Sequence, residues 1–261
     1  MLHAIMERIR QGHRTTRYPR EEATLPERFR GYPELSGGPC PPGCAACVDA
    51  CPFGAVARAP RLCLDMGRCL FCRACEEACP HGRIRFTNDP RLAANRREEL
   101  VVAAGEAHRL AHALEEKMLS LFGRSLKFRS VVAGGCNACE ADTNVLSTVG
   151  FDLSRFGIQF VASPRHADGL LICGPVTRNM ELALRKTYDA VPGPKVVIAV
   201  GACAIAGGPY FRQEEQLGGA STVLPVDLFI PGCPPHPLTI LDGLLRLLGR
   251  LEGEGRIGIP T

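Results

Sequence analysis

Two runs of four cysteines, CPPGCAACVDACP at 40–52 and CLFCRACEEACP at 69–80, constrain this chain more than any other feature. The chain carries 14 cysteines in 261 residues, nine of them between Cys40 and Cys79 and five between Cys136 and Cys233. A reducing compartment disfavours structural disulfides, and dense, regularly spaced cysteines there point to metal ligands.

That compartment is expected to be the cytoplasm. The first twenty residues, MLHAIMERIRQGHRTTRYPR, lack an apolar core followed by a small-residue cleavage site. The longest apolar runs, such as KVVIAVGACAIAGG at 195–208, are too short and too rich in Gly to span a bilayer. At 46% hydrophobic and 22% charged, the composition is that of an ordinary globular protein. A formal net charge of +4 favours an acidic partner surface slightly and argues against a dedicated nucleic-acid binder.

Four regions follow from the pattern. Residues 1–35 are basic, with Leu2, Ile5, Met6 and Ile9 on one apolar helical face and Arg8 and Arg10 off it. This reads either as a short helix capping its own domain or as a docking segment for a partner or membrane surface. Residues 18–43 read as extended loop, and 36–90 carry the cysteine runs. Between 91 and 123, Leu110, Ala111, Leu114, Met118, Leu121 and Phe122 recur at helical spacing, which predicts a linking helix from about 96 to 122. From 124 to 261, apolar strands at 126–134, 158–163, 169–174, 195–201 and 226–232 alternate with helices at 137–149, about 177–190 and 236–250. Such alternation predicts an α/β domain with a parallel sheet covered on both faces, whose ligands bind beyond the carboxyl ends of the strands.

The second cysteine run is the C-x2-C-x2-C-x3-C-P pattern of a bacterial-type ferredoxin, and the first differs by one extra residue between Cys40 and Cys44. In that pattern three thiolates hold one cubane and the fourth crosses to the neighbouring one. Cys40, Cys44, Cys47 and Cys79 would then hold one 4Fe-4S cluster, and Cys69, Cys72, Cys75 and Cys51 a second. Ala46 and Ala74 leave room for inorganic sulfide. Zinc ribbons instead use paired knuckles separated by a longer loop. Cys63 fits neither run and reads as a small buried hydrophobe.

In GGCNACEADTN at 134–144, Cys136 and Cys139 follow the first predicted strand and open a helix. A redox-active thiol pair has a mechanism there, because a helix N-terminus lowers thiol pKa. Cys203 follows the fourth strand and Cys233 the last, so a parallel sheet would bring four thiolates to one edge. Glycines 134, 135, 201 and 232 would let the backbone approach an inorganic core. Zinc could use the same four ligands, and Cys173, also at a strand end, is the rival fourth.

GGCNACE, RFGIQFVASPRHADGLLICGPVTRNME, VGACAIAGG and PGCPPHP together resemble the small electron-transfer subunit shared by energy-converting NiFe hydrogenases and complex I. The resemblance covers roughly 125–250, and the first half resembles the two-cluster ferredoxin subunit of the same complexes. It implies a flavodoxin-like open parallel sheet fused to a ferredoxin-like α+β domain. A third 4Fe-4S cluster is implied on Cys136, Cys139, Cys203 and Cys233. Partners implied are a hydrogenase-type large catalytic subunit, membrane-embedded subunits, and a formate dehydrogenase or ferredoxin donor. The expected location is the cytoplasmic face of the inner membrane. The spacing Cys136-Asn-Ala-Cys139 is the hydrogenase arrangement, whereas complex I members carry adjacent cysteines. Glu140 matches a proton-relaying Glu of the hydrogenase relatives, or is a first-turn Glu favoured by the helix dipole. His236 would tune the cluster or cap the last helix, and Arg165 and His166 would meet a partner. The function implied is electron relay to or from a catalytic large subunit. A quinone-reducing or nickel-free relative is the alternative, and a zinc-stabilised interaction module with a ferredoxin domain is the alternative of another class.

Overall fold

In the computed structural model, residues 2–251, apart from 13, 39, 59, 60, 123 and 124, are described together with 256 and 257. The first half comprises α1 (Leu2–Gln11), β1 (Pro33–Leu35), α2 (Ala46–Asp49), β2 (Val56–Ala57), β3 (Cys63–Asp65), α3 (Ala74–Ala78), β4 (Ile84–Phe86), β5 (Val101–Ala103), β6 (His108–Arg109) and α4 (Glu116–Phe122). Strands β1 and β4 pair antiparallel, and β2, β3 and β5 form an antiparallel sheet. The two cysteine runs therefore sit on short helices, α2 and α3, flanked by short antiparallel strands, with little regular structure of their own.

The predicted helix over 96–122 does not form. A 3-10 turn at Arg97–Leu100 leads directly into β5, whose backbone is taken by β3 at Cys63, Leu64 and Asp65. Gly105 then reverses the chain with φ +82°, and only Glu116–Phe122 is helical. Further amides are also committed: Ala111 donates to Ala93 O and Leu114 to Leu247 O. The apolar residues at helical spacing are core residues all the same, since Leu110, Ala111 and Phe122 are buried. Strand pairing to a distant partner overrides a weak local preference.

The second half continues with β7 (Leu126–Val132), α5 (Ala138–Val145), β8 (Ile158–Phe160), β9 (Gly169–Cys173), α6 (Arg178–Ala190), β10 (Val196–Val200), α7 (Gly201–Ala206), β11 (Leu228–Ile230), α8 (Pro237–Leu247) and β12 (Arg256–Ile257), the last pairing with β6. Strands β7 to β11 form one parallel sheet in the order β11-β10-β9-β7-β8. Counted within this half the order is 5-4-3-1-2, the flavodoxin-like arrangement with its switch point between β7 and β9. Strands β9, β10 and β11 are buried at every residue, as a sheet covered on both faces requires.

Alternate side chains of the sheet enter two cores. Leu170, Ile172, Val197 and Ala199 join Leu64, Met66 and Val102 of the first half in one continuous cluster. Leu171, Ile198 and Val200 pack on the other face with α8, which is buried along its whole length. A bidentate pair from Arg97 to Asp65, at 2.8 and 2.7 Å, ties the 3-10 turn to the end of β3. The segment before β1 runs as a strap over α8. Tyr18 donates from its hydroxyl to Asp242 Oδ1 at 2.7 Å, and Asp242 also accepts from buried Arg246 at 2.8 Å.

Candidate iron–sulfur sites

Each cysteine pair of the form Cys-x-Ala-Cys opens a helix at its alanine. The pairs are Cys44/Cys47 at α2, Cys72/Cys75 at α3 and Cys136/Cys139 at α5. In two of them the intervening residue is left-handed, Arg73 with φ +68° and Asn137 with φ +73°. A left-handed residue followed by helix turns successive N–H groups toward one concave side, the geometry that binds sulfides and phosphates. Both pairs are followed by a Glu, Glu76 and Glu140. The shared C-x-A-C-E string was the sequence signal for this common device.

The thiols fall into three sets. Cys47 feels the charges of Cys79, Cys40 and Cys44, and burial pushes its thiol up. Burial also pushes up Cys69, which interacts with Cys75, Cys72 and Cys51, and takes Cys75 to about 11. Cys139, raised chiefly by burial, interacts with Cys173, Cys203, Cys233 and Cys136. Cys203 is pushed to about 12 by burial and by Cys233 and Cys136. Unligated, these thiols hold their protons, so iron binding must release them. Backbone amides already face three of the sulfurs: Ala55 N donates to Cys51 Sγ at 3.3 Å, Phe71 N to Cys69 Sγ at 3.2 Å and Arg83 N to Cys79 Sγ at 3.4 Å.

The third set collects at one sheet edge because β7, β10 and β11 are parallel and each is followed by a cysteine-bearing turn. Two glycines make room. A Cβ at Gly201 would lie 2.5 Å from Cys139 Sγ, and one at Gly208 would lie 2.5 Å from Cys203 Sγ. The switch-point crevice between β7 and β9 is closed instead, since a Cβ at Gly174 would lie 2.6 Å from Gly135 N. Cys173 lies there, buried, held up at about 12 chiefly by burial, facing Glu140 and bonded to Thr143. Thr143 donates its hydroxyl proton to Cys139 O at 2.7 Å, and its contact with Cys173 favours the thiolate there.

Glu140 is half-buried and its carboxyl is raised by burial. His236 caps α8, its Nδ1 accepting from Leu238 N at 3.1 Å, with the Phe29 ring edge-on at 5.4 Å. Arg165 and His166 lie on a 3-10 turn between β8 and β9, both exposed. Cys63 is half-buried within β3, more open than a core thiol, because β3 carries its apolar Leu64 on the opposite face. Sequence reasoning gave no hint of Arg58. Its guanidinium donates to Cys44 O at 2.6 Å and Pro41 O at 2.7 Å, clamping the turn that holds the extra residue of the first run.

Cys72 and Cys233, both exposed, line one cavity of about 300 Å³ together with Phe71, Phe29, Arg28 and His236. Cys72 belongs to the second set and Cys233 to the third.

Residues 136–247, which contain all four thiols of the third set, match the family described as NADH ubiquinone oxidoreductase, 20 Kd subunit. Over 141 residues the chain is 39% identical to "Probable membrane-bound hydrogenase subunit mbhJ" of Pyrococcus furiosus, covering 53% of this chain and 84% of that protein. The chain belongs to this family of oxidoreductase subunits. Formate hydrogenlyase subunit 7 of Escherichia coli is 41% identical over 139 residues, 53% of this chain and 54% of its own length. An NADH-quinone oxidoreductase subunit of Bacteroides thetaiotaomicron is 39% identical over 123 residues, 47% of this chain and 62% of its own. The chain thus spans little more than half to under two thirds of the length of the last two relatives. The 20 Kd family match leaves the cysteine runs at 40–79 outside it.

Proposed function

We propose that this chain is the electron-transfer subunit of a multi-subunit, membrane-associated oxidoreductase of the hydrogenase type, with three 4Fe-4S clusters. The observation that supports the reading is that thirteen thiols interact in three groups of four, four and five, Cys173 being the extra member of the last, with Cys51 and Cys79 each interacting across the sequence with the other run. Each cluster, when bound, takes up and returns one electron. The residues fit such a group: left-handed Arg73 and Asn137 aim amides inward, and Gly201 and Gly208 leave the sulfurs of Cys139 and Cys203 uncrowded. Among the described residues no three Cys, His, Asp or Glu side chains close tightly enough to hold a single metal ion.

The Cys72–Cys233 cavity supports an order. In the proposed order the set of Cys51, Cys69, Cys72 and Cys75 is the neighbour of the third set, and Cys40, Cys44, Cys47 and Cys79 are the distal end; the shared lining of Cys72 and Cys233 supports the first step of it. The ferredoxin-like reading of residues 36–90 rests on the two short helices that carry the cysteine runs, the antiparallel strand pairs beside them and the cysteines that interact across the runs. A hydrogenase-type large subunit, membrane-embedded subunits and a formate dehydrogenase or ferredoxin donor complete the proposed assembly, at the cytoplasmic face of the inner membrane. Among the described residues no helix is long and apolar enough to cross a membrane. The names of the hydrogenase relatives and the Cys136-Asn-Ala-Cys139 spacing favour this over a quinone-reducing complex.

Anaerobic metal analysis of the purified chain tests the reading. It should give about 12 iron and 12 sulfide per chain, with no stoichiometric zinc. Fewer than about 8 iron, or one zinc per chain, overturns it.

A further inference from the structure

The helix α1 leaves the molecule with its apolar face uncovered. None of its ten residues is buried, and Leu2, Ile5, Met6 and Ile9 are exposed by 76, 55, 55 and 76%. They are four of the ten large hydrophobic side chains exposed among the described residues. At 3.6 residues per turn these four form one stripe, and Arg8 and Arg10 project from its two opposite flanks. A helix capping its own domain would turn that stripe inward. Here it faces away.

The chain just after the helix is tied to the body. Gly12, with φ +62°, ends it. The chain then anchors on the far end of α5, where Thr15 Oγ1 donates to Val149 O at 2.8 Å and Thr16 N to Gly150 O at 2.7 Å. Tyr18 completes the anchor on α8. Val149 itself is 71% exposed, an apolar side chain beside the point where the chain anchors.

We propose that α1 and Val149 dock on a lipid bilayer bearing anionic headgroups. Charge complementarity decides the occupant. Residues 1–20 carry Arg8, Arg10, Arg14, Arg17 and Arg20 against Glu7 as the single acid. Arg10 is loosely paired with Glu7 at 3.7 Å and Arg17 with Glu21 at 2.8 Å, which leaves Arg8, Arg14 and Arg20 exposed with no acidic partner among the described residues. The apolar stripe is a narrow convex ridge, which a fluid surface accommodates without a matching groove. Arginines on both flanks can bury their stems beside it while their guanidinium groups reach phosphates. One short helix binds weakly, so this contact would orient the protein at the surface rather than anchor it. The proposal stands apart from the cluster reading, since neither α1 nor Val149 belongs to a cysteine set.

Co-sedimentation of the full-length, anaerobically purified chain with vesicles tests it. The wild type should bind phosphatidylglycerol/phosphatidylcholine vesicles, bind phosphatidylcholine alone far less, and lose binding as salt rises. Ile5→Glu/Ile9→Glu should lower the partition coefficient at least about tenfold with an unchanged unfolding transition and iron content. Arg8→Gln/Arg10→Gln should lower it less and flatten the salt dependence. Absence of binding by the wild type, or equal binding by Ile5→Glu/Ile9→Glu, overturns the proposal. Oligomers of the wild type that dissolve in Ile5→Glu/Ile9→Glu, without vesicle binding, would assign the ridge to a second copy and also overturn it.

Discussion

Gly201 and Cys139 sit in helices that follow different strands, α7 and α5, yet a single methyl group at Gly201 would sit 2.5 Å from the Cys139 sulfur. Gly201 also has φ +89°, which an L side chain rarely adopts. Gly201→Ala should therefore displace Cys139 and deplete the third set alone. Iron content should fall from about 12 to about 8 per chain, with the signals of the other two sets retained by EPR. An unchanged iron content would remove Cys139 from the ligand set.

The crossed thiol sets make a prediction about pairs of variants. Cys51→Ala should alter the same reducible signal as Cys69→Ala, although Cys51 belongs to the first run. Cys79→Ala should pair with Cys47→Ala. If Cys51→Ala instead matches Cys47→Ala, each run holds its own cluster and the crossing is wrong.

Cys173 and Cys203 separate in the same way. Cys173 interacts with Glu140 and Thr143 as well as with Cys203, whereas Cys203 interacts with Cys233 and Cys136, and both thiols interact with Cys139. Cys173→Ala should keep about 12 iron per chain, and Cys203→Ala should lose about 4. Iron loss in Cys173→Ala would reverse their roles.

Stability should depend on His108. Its ring is 2% exposed, stacked on Tyr32 at 5.3 Å, and burial pushes its pKa from 6.5 down to about 4, against the pull of the Leu92 backbone and the charge of Asp89. The depressed value means that the unfolded chain binds a proton between pH 6.5 and 4 that the folded chain does not. This contribution is complete above pH 6.5 and is lost as pH falls toward 4, by about 3 kcal/mol in all. His108→Phe keeps the stack on Tyr32 and should flatten that part of the profile in denaturant titrations at pH 4.5–7. An unchanged slope would show that other groups govern it.

The strap over α8 rests on a buried polar triad. Tyr18→Phe removes one hydrogen bond to Asp242 and should destabilise the chain by about 1 kcal/mol. Asp242→Ala strands Arg246 in the interior and should destabilise it by about 3–5 kcal/mol. Thermal unfolding of the two variants would reveal the difference, and equal shifts would mean that Arg246 finds solvent.

The sheet strands and the cysteine spacings were legible in the sequence because both are local. A buried parallel strand writes itself as an apolar run, and a C-x-A-C turn needs its two thiols three residues apart. Boundaries moved by a residue or two, as at Leu228–Ile230 within the predicted 226–232. The segment 96–122 was not legible. Its apolar residues carry helical spacing, but β5 finds its partner in β3, a strand far earlier in the chain, with Val101 opposite Asp65 and Ala103 opposite Cys63. Arg58 and the Thr143–Cys173 bond were equally invisible, since each joins groups that only folding brings together.

The sequence by itself determined the residue types: thiols in sufficient number, glycines beside them, and a basic amphipathic helix. Only the tertiary structure decided that Cys173 meets Thr143, that Gly201 leaves room for the Cys139 sulfur, and that the apolar face of α1 is left uncovered. The physical reason is that spacing along the chain fixes what a turn or strand can be. Which elements meet depends on burying both faces of one sheet at once.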